Sequence, residues 1–523
     1  MRRIGIWCGL WTVIGFAAGG PLRATELHEL AGTWIVESES PEGMIPVIVQ
    51  FTGTGDTLSG QWIVLSNWTE AKTEPVTRIE LRGASLSFKV AGWERAFWSG
   101  QFNQKDRIKM ELIDAADGHV WQTRTFKRGS EAELARLRSD APMTLVTRKI
   151  PLPALHDLPL NGLAATPPMG WNSWNHFKET VDDKAIREAA DTLVSSGLRE
   201  AGYVYINIDD GWQGRRDARG ILQPNSKFPD MKALADYVHG KGLKLGLYNS
   251  PGPVSCSGYV GSHGYEEKDA KTLAEWGIDY FKYDWCSADK LYTTQPEMQA
   301  LYQKMGAALQ ATGRPIVFSL CQYGLFDVGR WGRKVGGNLW RTGNDSIEAK
   351  RWAAVSARFD SDGKPEDSSP GGWNDPDMML IGNGGLNSEE IRTHMTLWSM
   401  LAAPLIIGTD LRAMTADERS VLMNPEIIAV DQDALGKQGR RIVKLGNSEI
   451  WTKPLKDGGT AVAVFNRADT KSTVETRWST LGLADKEDVR NLWSHRELGT
   501  INRTYRVVVP GHGTALLKVT TAH

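Results

Sequence analysis

Carboxylates, basic residues and indoles gather in this chain at the ends of short apolar runs. Trp171 and Trp174 close the first such run, Asp209-Asp210-Gly211-Trp212 the second and Tyr248 the third. The next four end in Lys282-Tyr283-Asp284-Trp285-Cys286, in Cys321-Gln322-Tyr323, in Trp340-Arg341 with Asp345 following, and in Trp373-Asn374-Asp375-Pro376-Asp377. Side chains alternate across a strand, so Lys282 and Asp284 should face the same way. The nearby ammonium favours an ionised Asp284, as a nucleophile or electrostatic stabiliser requires. Asp345 sits four residues past Arg341 and can approach from another side. Two carboxylates in unlike environments, surrounded by indoles, suit glycoside hydrolysis. One carboxyl is protonated to help the leaving oxygen depart, and the other is charged to meet an oxocarbenium-like centre.

Each cluster also has a plainer reading. An Asp at a strand end is commonly a helix N-cap. Asp209-Asp210 could cap a loop or bind a hard cation such as Ca²⁺. Pro376 marks the Asn374–Asp377 cluster as a tight structural turn beneath the site. The tryptophans could simply be core.

The elements that must position these residues alternate between strand and helix from about 167 to 436. Strand candidates fall at Met169–Trp174, Tyr203–Ile208, Leu243–Tyr248, Tyr280–Asp284, Ile316–Leu320, Leu339–Thr342, Trp373–Met378 and Leu405–Gly408. Helical stripes lie between them, such as Ile186, Ala189, Ala190, Leu193 and Val194, stopped by Gly197. Eight parallel-type strands over about 250 residues suit a (β/α)8 TIM barrel, whose chemistry sits at the C-terminal strand ends. A doubly wound sheet is the rival, but the first strand lacks a Gly-rich phosphate loop.

Residues 28–128 instead alternate with period two, as in Leu86, Phe88 and Val90 or Ile108, Met110 and Leu112, and predict a small all-β barrel or sandwich. Residues from about 440 return to alternation and predict an antiparallel β-sandwich. The expected organisation is therefore multidomain: a signal peptide (1–24), an all-β domain (25–129), a Pro-punctuated linker (130–160), the barrel (161–436) and the C-terminal sandwich (437–523).

The 523 residues carry 61 Lys+Arg against 62 Asp+Glu, so no basic excess supports a nucleic-acid partner. Arg2 and Arg3 before the apolar run Ile4–Ala18, with Leu22-Arg23-Ala24 as a cleavage site, read as a signal peptide. The run is shorter than the roughly 20 residues a membrane span needs, so a secreted or periplasmic protein is expected. Four cysteines are too few for a disulfide scaffold, and Cys8 leaves with the signal peptide. No His-x-x-x-His or Cys-x-x-Cys spacing suggests a metal, and the proposed hydrolysis needs no cofactor. Twenty-one tryptophans are many. In the N-terminal domain Trp34, Trp62, Trp68, Trp93, Trp98 and Trp121 are either ligand platforms or core. Asn67 and Asn502 head glycosylation sequons.

Four motifs occur in order: Thr166-Pro-Pro-Met-Gly-Trp-Asn-Ser-Trp174, Asn207-Ile-Asp-Asp-Gly-Trp212, Lys282-Tyr-Asp-Trp-Cys286 and Gly371-Gly-Trp-Asn-Asp-Pro-Asp-Met378. Together they resemble the α-galactosidase (melibiase-like) family called glycoside hydrolase family 27, over roughly residues 160–520. Residues 28–150 lie outside the resemblance and look lipocalin-like. The resemblance implies a retaining exo-α-galactosidase with Asp284 as nucleophile and Asp345 as acid/base. It also implies that Asp209 and Asp210 bind the sugar's O4 and O6, Lys282 O3/O4 and Arg341 O2, with Trp174 and Tyr248 lining the pocket. It pairs Cys256 with Cys286 in a disulfide, and counts Cys286 among the substrate contacts. Gln322 stands where many relatives have Glu at the C2 substituent. Gln322 and Leu325 are larger than the residues of N-acetylgalactosamine-specific relatives, and Asp209 rather than Glu leaves room for galactose's exocyclic carbon, which a β-L-arabinopyranosidase substrate lacks. A catalytically silent carbohydrate-binding protein is the rival of another class.

Overall fold

The computed structural model describes residues 30–37, 47–53, 57–64, 72–82, 84–93, 96–104, 106–115, 118, 120–130, 132–134, 148–346, 352–360 and 363–522. The signal peptide, the Asn67 sequon, Trp68 and the side chain of Trp121 lie outside them. The chain forms two compact units, one ending at residue 145 and one beginning at residue 146.

The first unit is a closed antiparallel barrel of eight strands, from Gly32–Glu37 to Val120–Arg128, each bonded to its neighbours in sequence. The first strand closes on the last, with Val36 opposite Phe126. The period-two pattern decides what goes inside: Ile108, Met110 and Leu112 are buried, as are Leu86, Phe88 and Val90. Trp34, Trp62 and Trp98 join this core, so these indoles fill the barrel rather than offering platforms, and Trp93 packs against them.

In the second unit, eight parallel strands curl into one sheet: β1 (Met169–Asn172), β2 (Tyr205–Asn207), β3 (Lys244–Asn249), β4 (Tyr280–Asp284), β5 (Val317–Cys321), β6 (Leu339–Arg341), β7 (Trp373–Asp375) and β8 (Leu405–Ile407). Their order is β7-β6-β5-β4-β3-β2-β1-β8. A parallel bridge between Met379, just past β7, and Ile407 of β8 closes the ring. Helices cover the outside. The one at Asp183–Ser195 starts on the Asp182 side chain, which accepts from Ala185 N, and buries Ile186, Ala189, Ala190 and Leu193. Gly277 ends the helix Glu266–Trp276 in the left-handed region at φ 87°.

The lumen is layered. Tyr205, Tyr280, Val317, Leu339 and Trp373 form an apolar floor with Ala402. The segment before β1 plugs it from below, where Trp373 donates to Ala164 O. Two residues further along each strand the inward positions turn polar: Asn207, Lys282, Ser319, Arg341 and Asp375. The intervening Phe281, Tyr283 and Phe318 point outward into the core under the helices.

The C-terminal region forms a six-stranded antiparallel sheet with a two-stranded ribbon. Alternation serves two cores here. Ile450, Val462 and Val464 face the ribbon, while Trp451, Ala461, Ala463 and Phe465 join the barrel's own core.

Candidate active site

Asp209, two residues past β2, is buried and oriented on Oδ2 by two side-chain donors. Its Oδ2 accepts from Lys282 Nζ and from Asn172 Nδ2, both at 2.8 Å. Asp210 next to it takes one N–H on each oxygen, Gly211 N at 3.0 Å and Ser257 N at 2.8 Å. Burial pushes the Asp210 carboxyl up to about 7, and the neighbouring Asp209 and Glu179 add to the rise.

Asp284 ends β4 and is 5% exposed, with Oδ1 left without a hydrogen-bond partner. Lys282 does favour the ionised form, but its ammonium is bonded to Asp209, and burial outweighs it. The Asp284 carboxyl is pushed up to about 6, with the Asp345 charge adding to the rise. Burial also works against the Lys282 ammonium, yet Asp209, Asp284 and Asp345 hold it well above its ordinary value.

Arg341, at the end of β6, is buried and reaches two carboxylates with one nitrogen. Its Nη1 lies 2.9 Å from Asp345 Oδ1 and 3.2 Å from Asp377 Oδ1. The Asp345 carboxylate is 45% exposed, whereas its partner guanidinium is 3% exposed. Asp345 therefore faces water while its charge is felt at Asp284, Lys282 and Tyr323. The two carboxylates proposed from the sequence share one electrostatic site.

Cys256 and Cys286 form a disulfide with Cα atoms 5.0 Å apart. Its sulfurs border the site: Tyr248 donates to Cys256 Sγ at 3.0 Å, and the Tyr323 hydroxyl lies 3.6 Å from Cys286 Sγ. Among the described residues, the metal-ligating types that converge are Cys256, Asp284 and Cys286, and the disulfide occupies both sulfurs. Tyr248 is buried beneath Lys282, whose Nζ lies 5.1 Å from its ring. Gln322 is wholly buried, and its Oε1 has no partner. Trp174 is half-buried on the turn after β1, with Lys178 over its ring. The other indoles named from the strand ends are core: Trp171, Trp212, Trp285 and Trp340 all lie in the packed layer under the helices.

Sequence reasoning placed Asp377 in a structural turn, and it proves to be more. Its backbone sits at φ 101°, a costly conformation for a non-glycine residue. That conformation aims Oδ1 at Arg341 and lets Oδ2 accept from Ser346 N at 2.6 Å. Asn172 and Tyr323 were also passed over. Asn172 stands inside the Trp-Asn-Ser-Trp motif, and Tyr323 directly follows Gln322, so position alone could have flagged both.

A parallel barrel with buried and half-exposed carboxylates converging at its C-terminal strand ends is the architecture of a glycoside hydrolase. Residues 166–433 match a family model described as alpha galactosidase A, and residues 445–519 match the alpha galactosidase C-terminal beta sandwich domain. The chain belongs to the α-galactosidase family of glycoside hydrolases. It is 44% identical over 366 residues to the α-galactosidase of Cyamopsis tetragonoloba, covering 69% of this chain and 87% of that one. The crystal structure of α-galactosidase I from Mortierella vinacea superposes with a TM-score of 0.65 at 35% identity, over 69% of this chain and 98% of that chain. A Bacteroides fragilis protein named as a candidate α-galactosidase matches 94% of this chain and 99% of its own, with a TM-score of 0.66 and 30% identity. A match of that extent takes in the N-terminal barrel.

Proposed function

We propose that the chain is a secreted, retaining exo-α-galactosidase that removes terminal α-D-galactosyl residues from plant oligosaccharides or galactomannan side chains. One observation carries the reading: a buried Asp284 with a free oxygen lies beside Lys282, within the field of a water-facing Asp345 held by Arg341. In the first step an Asp284 oxygen attacks the anomeric carbon. The glycosidic C–O bond breaks, and the proton of Asp345 passes to the departing oxygen. In the second step Asp345 takes a proton from water, the hydroxide attacks the same carbon, and the Asp284 ester bond breaks. Two inversions leave the configuration retained.

The remaining residues orient the sugar. Asp209 and Asp210, fixed by Asn172, Lys282 and Ser257, keep lone pairs for O4 and O6, and Lys282 offers its ammonium to O3/O4. A wrong epimer would leave a buried carboxylate unpaired, which is the costly case. Arg341 and the orphan Gln322 Oε1 suit a 2-hydroxyl. Trp174, Tyr248 and the disulfide sulfur of Cys286 supply the walls. The basic and apolar N-terminus supports export with cleavage after Ala24; an exported protein beginning at residue 25 would bear this out.

A panel of nitrophenyl glycosides tests the reading. Turnover should be fastest on α-D-galactoside, slower on β-L-arabinopyranoside and weakest on N-acetyl-α-galactosaminide, with α-galactose as the first product seen by NMR. Faster arabinoside cleavage or a β-anomer product overturns it, and binding without turnover makes the chain a carbohydrate-binding protein.

A further inference from the structure

The turn that carries Asp345 is lashed at the residues around it, while the Asp345 side chain itself stands half in water. Thr342 N donates to Asp375 O at 2.9 Å, and Arg341 Nη2 donates to Gly343 O at 3.1 Å. Ser346 N donates to Asp377. Two further ties come from a residue thirteen positions away. Arg358, at the end of the short helix Trp352–Arg358, is 6% exposed, and one of its nitrogens serves both flanks of Asp345. Its Nη2 donates to Asn344 O at 2.5 Å and to Ser346 Oγ at 2.8 Å. Its Nη1 lies beneath Gly343, where an added Cβ would come within 2.7 Å of it. Position 343 is thus shaped to let the guanidinium sit against the backbone.

We propose that Arg358 is a positioning residue for the acid/base: it fixes the backbone on both sides of Asp345, so that the carboxyl held by Arg341 still meets the glycosidic oxygen. The proposal rests on the acid/base reading of Asp345. The physical reason is that a general acid works only within hydrogen-bond reach of the oxygen it protonates. An ångström of misplacement costs on the order of a hundredfold in rate. A buried guanidinium donating to two acceptors resists that displacement better than water does. A lysine ammonium ends one atom short of Nη2 and is more strongly hydrated, so it serves these two acceptors less well at this depth.

The test uses the full-length protein and two substrates that differ only in their need for a proton. Methyl α-galactoside leaves as an alkoxide and needs the acid; 2,4-dinitrophenyl α-galactoside leaves as a stable phenolate and does not. Arg358→Met should lower kcat/KM on the methyl glycoside by about 10–100-fold and on the activated one by less than about 3-fold. Arg358→Lys should keep an intermediate split. A merely structural loss lowers both substrates equally, and that outcome overturns the proposal. Ser346→Ala removes one acceptor only and should give a split of about 3-fold in the same sense; it decides the matter if Arg358→Met does not fold. Asp345→Ala is the control. If it shows the split and neither the Arg358 nor the Ser346 variant does, Arg358 has no positioning role and the acid/base reading stands. If Asp345→Ala itself shows no split, that reading falls, and this proposal with it.

Discussion

Two eight-stranded barrels occur in one chain, and they fill their interiors in opposite ways. The N-terminal barrel is antiparallel and apolar inside, with Trp62 stacked on Trp98 at 5.6 Å and ringed by Trp93, Phe88 and Phe126. The second barrel is parallel and apolar only at its floor, and above Tyr205, Tyr280 and Trp373 its inward positions carry ammonium, guanidinium and carboxylates. Strand geometry treats the two alike, since alternate residues face inward in both. What separates them is the connection. Hairpins join neighbouring strands of the first barrel, while helical crossovers in the second leave loops at one end, free to carry Ser257, Tyr323 and Asp345 over the lumen. In one barrel indoles give stability; in the other charges give chemistry and cost stability.

That contrast predicts opposite outcomes for mutations in the two interiors. The largest effect belongs to Asp284→Asn. An amide oxygen is a poor nucleophile, so turnover of every α-galactoside, the activated dinitrophenyl one included, should fall by about 10⁴-fold or more while the fold persists. Substantial remaining activity on the activated substrate would remove Asp284 from the nucleophile's role. Trp62→Ala should do the reverse. It opens a cavity among four aromatic rings, and large-to-small core changes of this kind cost about 3–5 kcal/mol. Scanning calorimetry should record a lower transition for the N-terminal barrel, with kcat per active site unchanged. A fall in kcat at constant active-site concentration would show that this barrel takes part in catalysis.

The sequence was legible where periodicity and motif coincide. All eight parallel strands could be located because short apolar runs alternate with helical stripes and most end at polar clusters; Asp284 stood out by residue type at a strand end, and Asp345 in the loop four residues past another. The protonation balance was not legible. Lys282 two residues before Asp284 favours a carboxylate, as expected, but alternation fixes only which face a side chain takes. It does not reveal that Asp209 captures the ammonium at 2.8 Å, or that the strand end is nearly dry. Asp377 was only half legible: Pro376 does mark a turn, but its carboxylate meets Arg341 and Ser346, some thirty residues earlier in the chain, and local sequence gives no sign of such a contact. The indoles were ambiguous because burial and exposure use the same residue type. Trp340 donates to Asn374 at 2.8 Å inside the core, although its neighbour Arg341 is in the site.

The smallest effect sharpens the comparison most, because it measures the cost of the polar interior directly. Burial pushes the Asp210 carboxyl up from its ordinary 3.8 to about 7 in the folded chain. Between about pH 4 and pH 7 the folded state therefore holds a proton that the unfolded state has released, and stability from this group falls as pH rises through that window. Asp284, raised to about 6, has the same sign. Asp210→Asn cannot ionise. Its NH₂ must face either Gly211 N–H or Ser257 N–H, a penalty that is the same at every pH. The readout is thus the slope: the melting temperature of the variant relative to the parent should climb from pH 4 to pH 8. The gain should reach about 2–4 kcal/mol, a few degrees for a unit of this size. A difference that stays flat with pH would mean the folded protein ionises Asp210 at no cost, and this carboxyl would then add nothing to the cost of the polar interior.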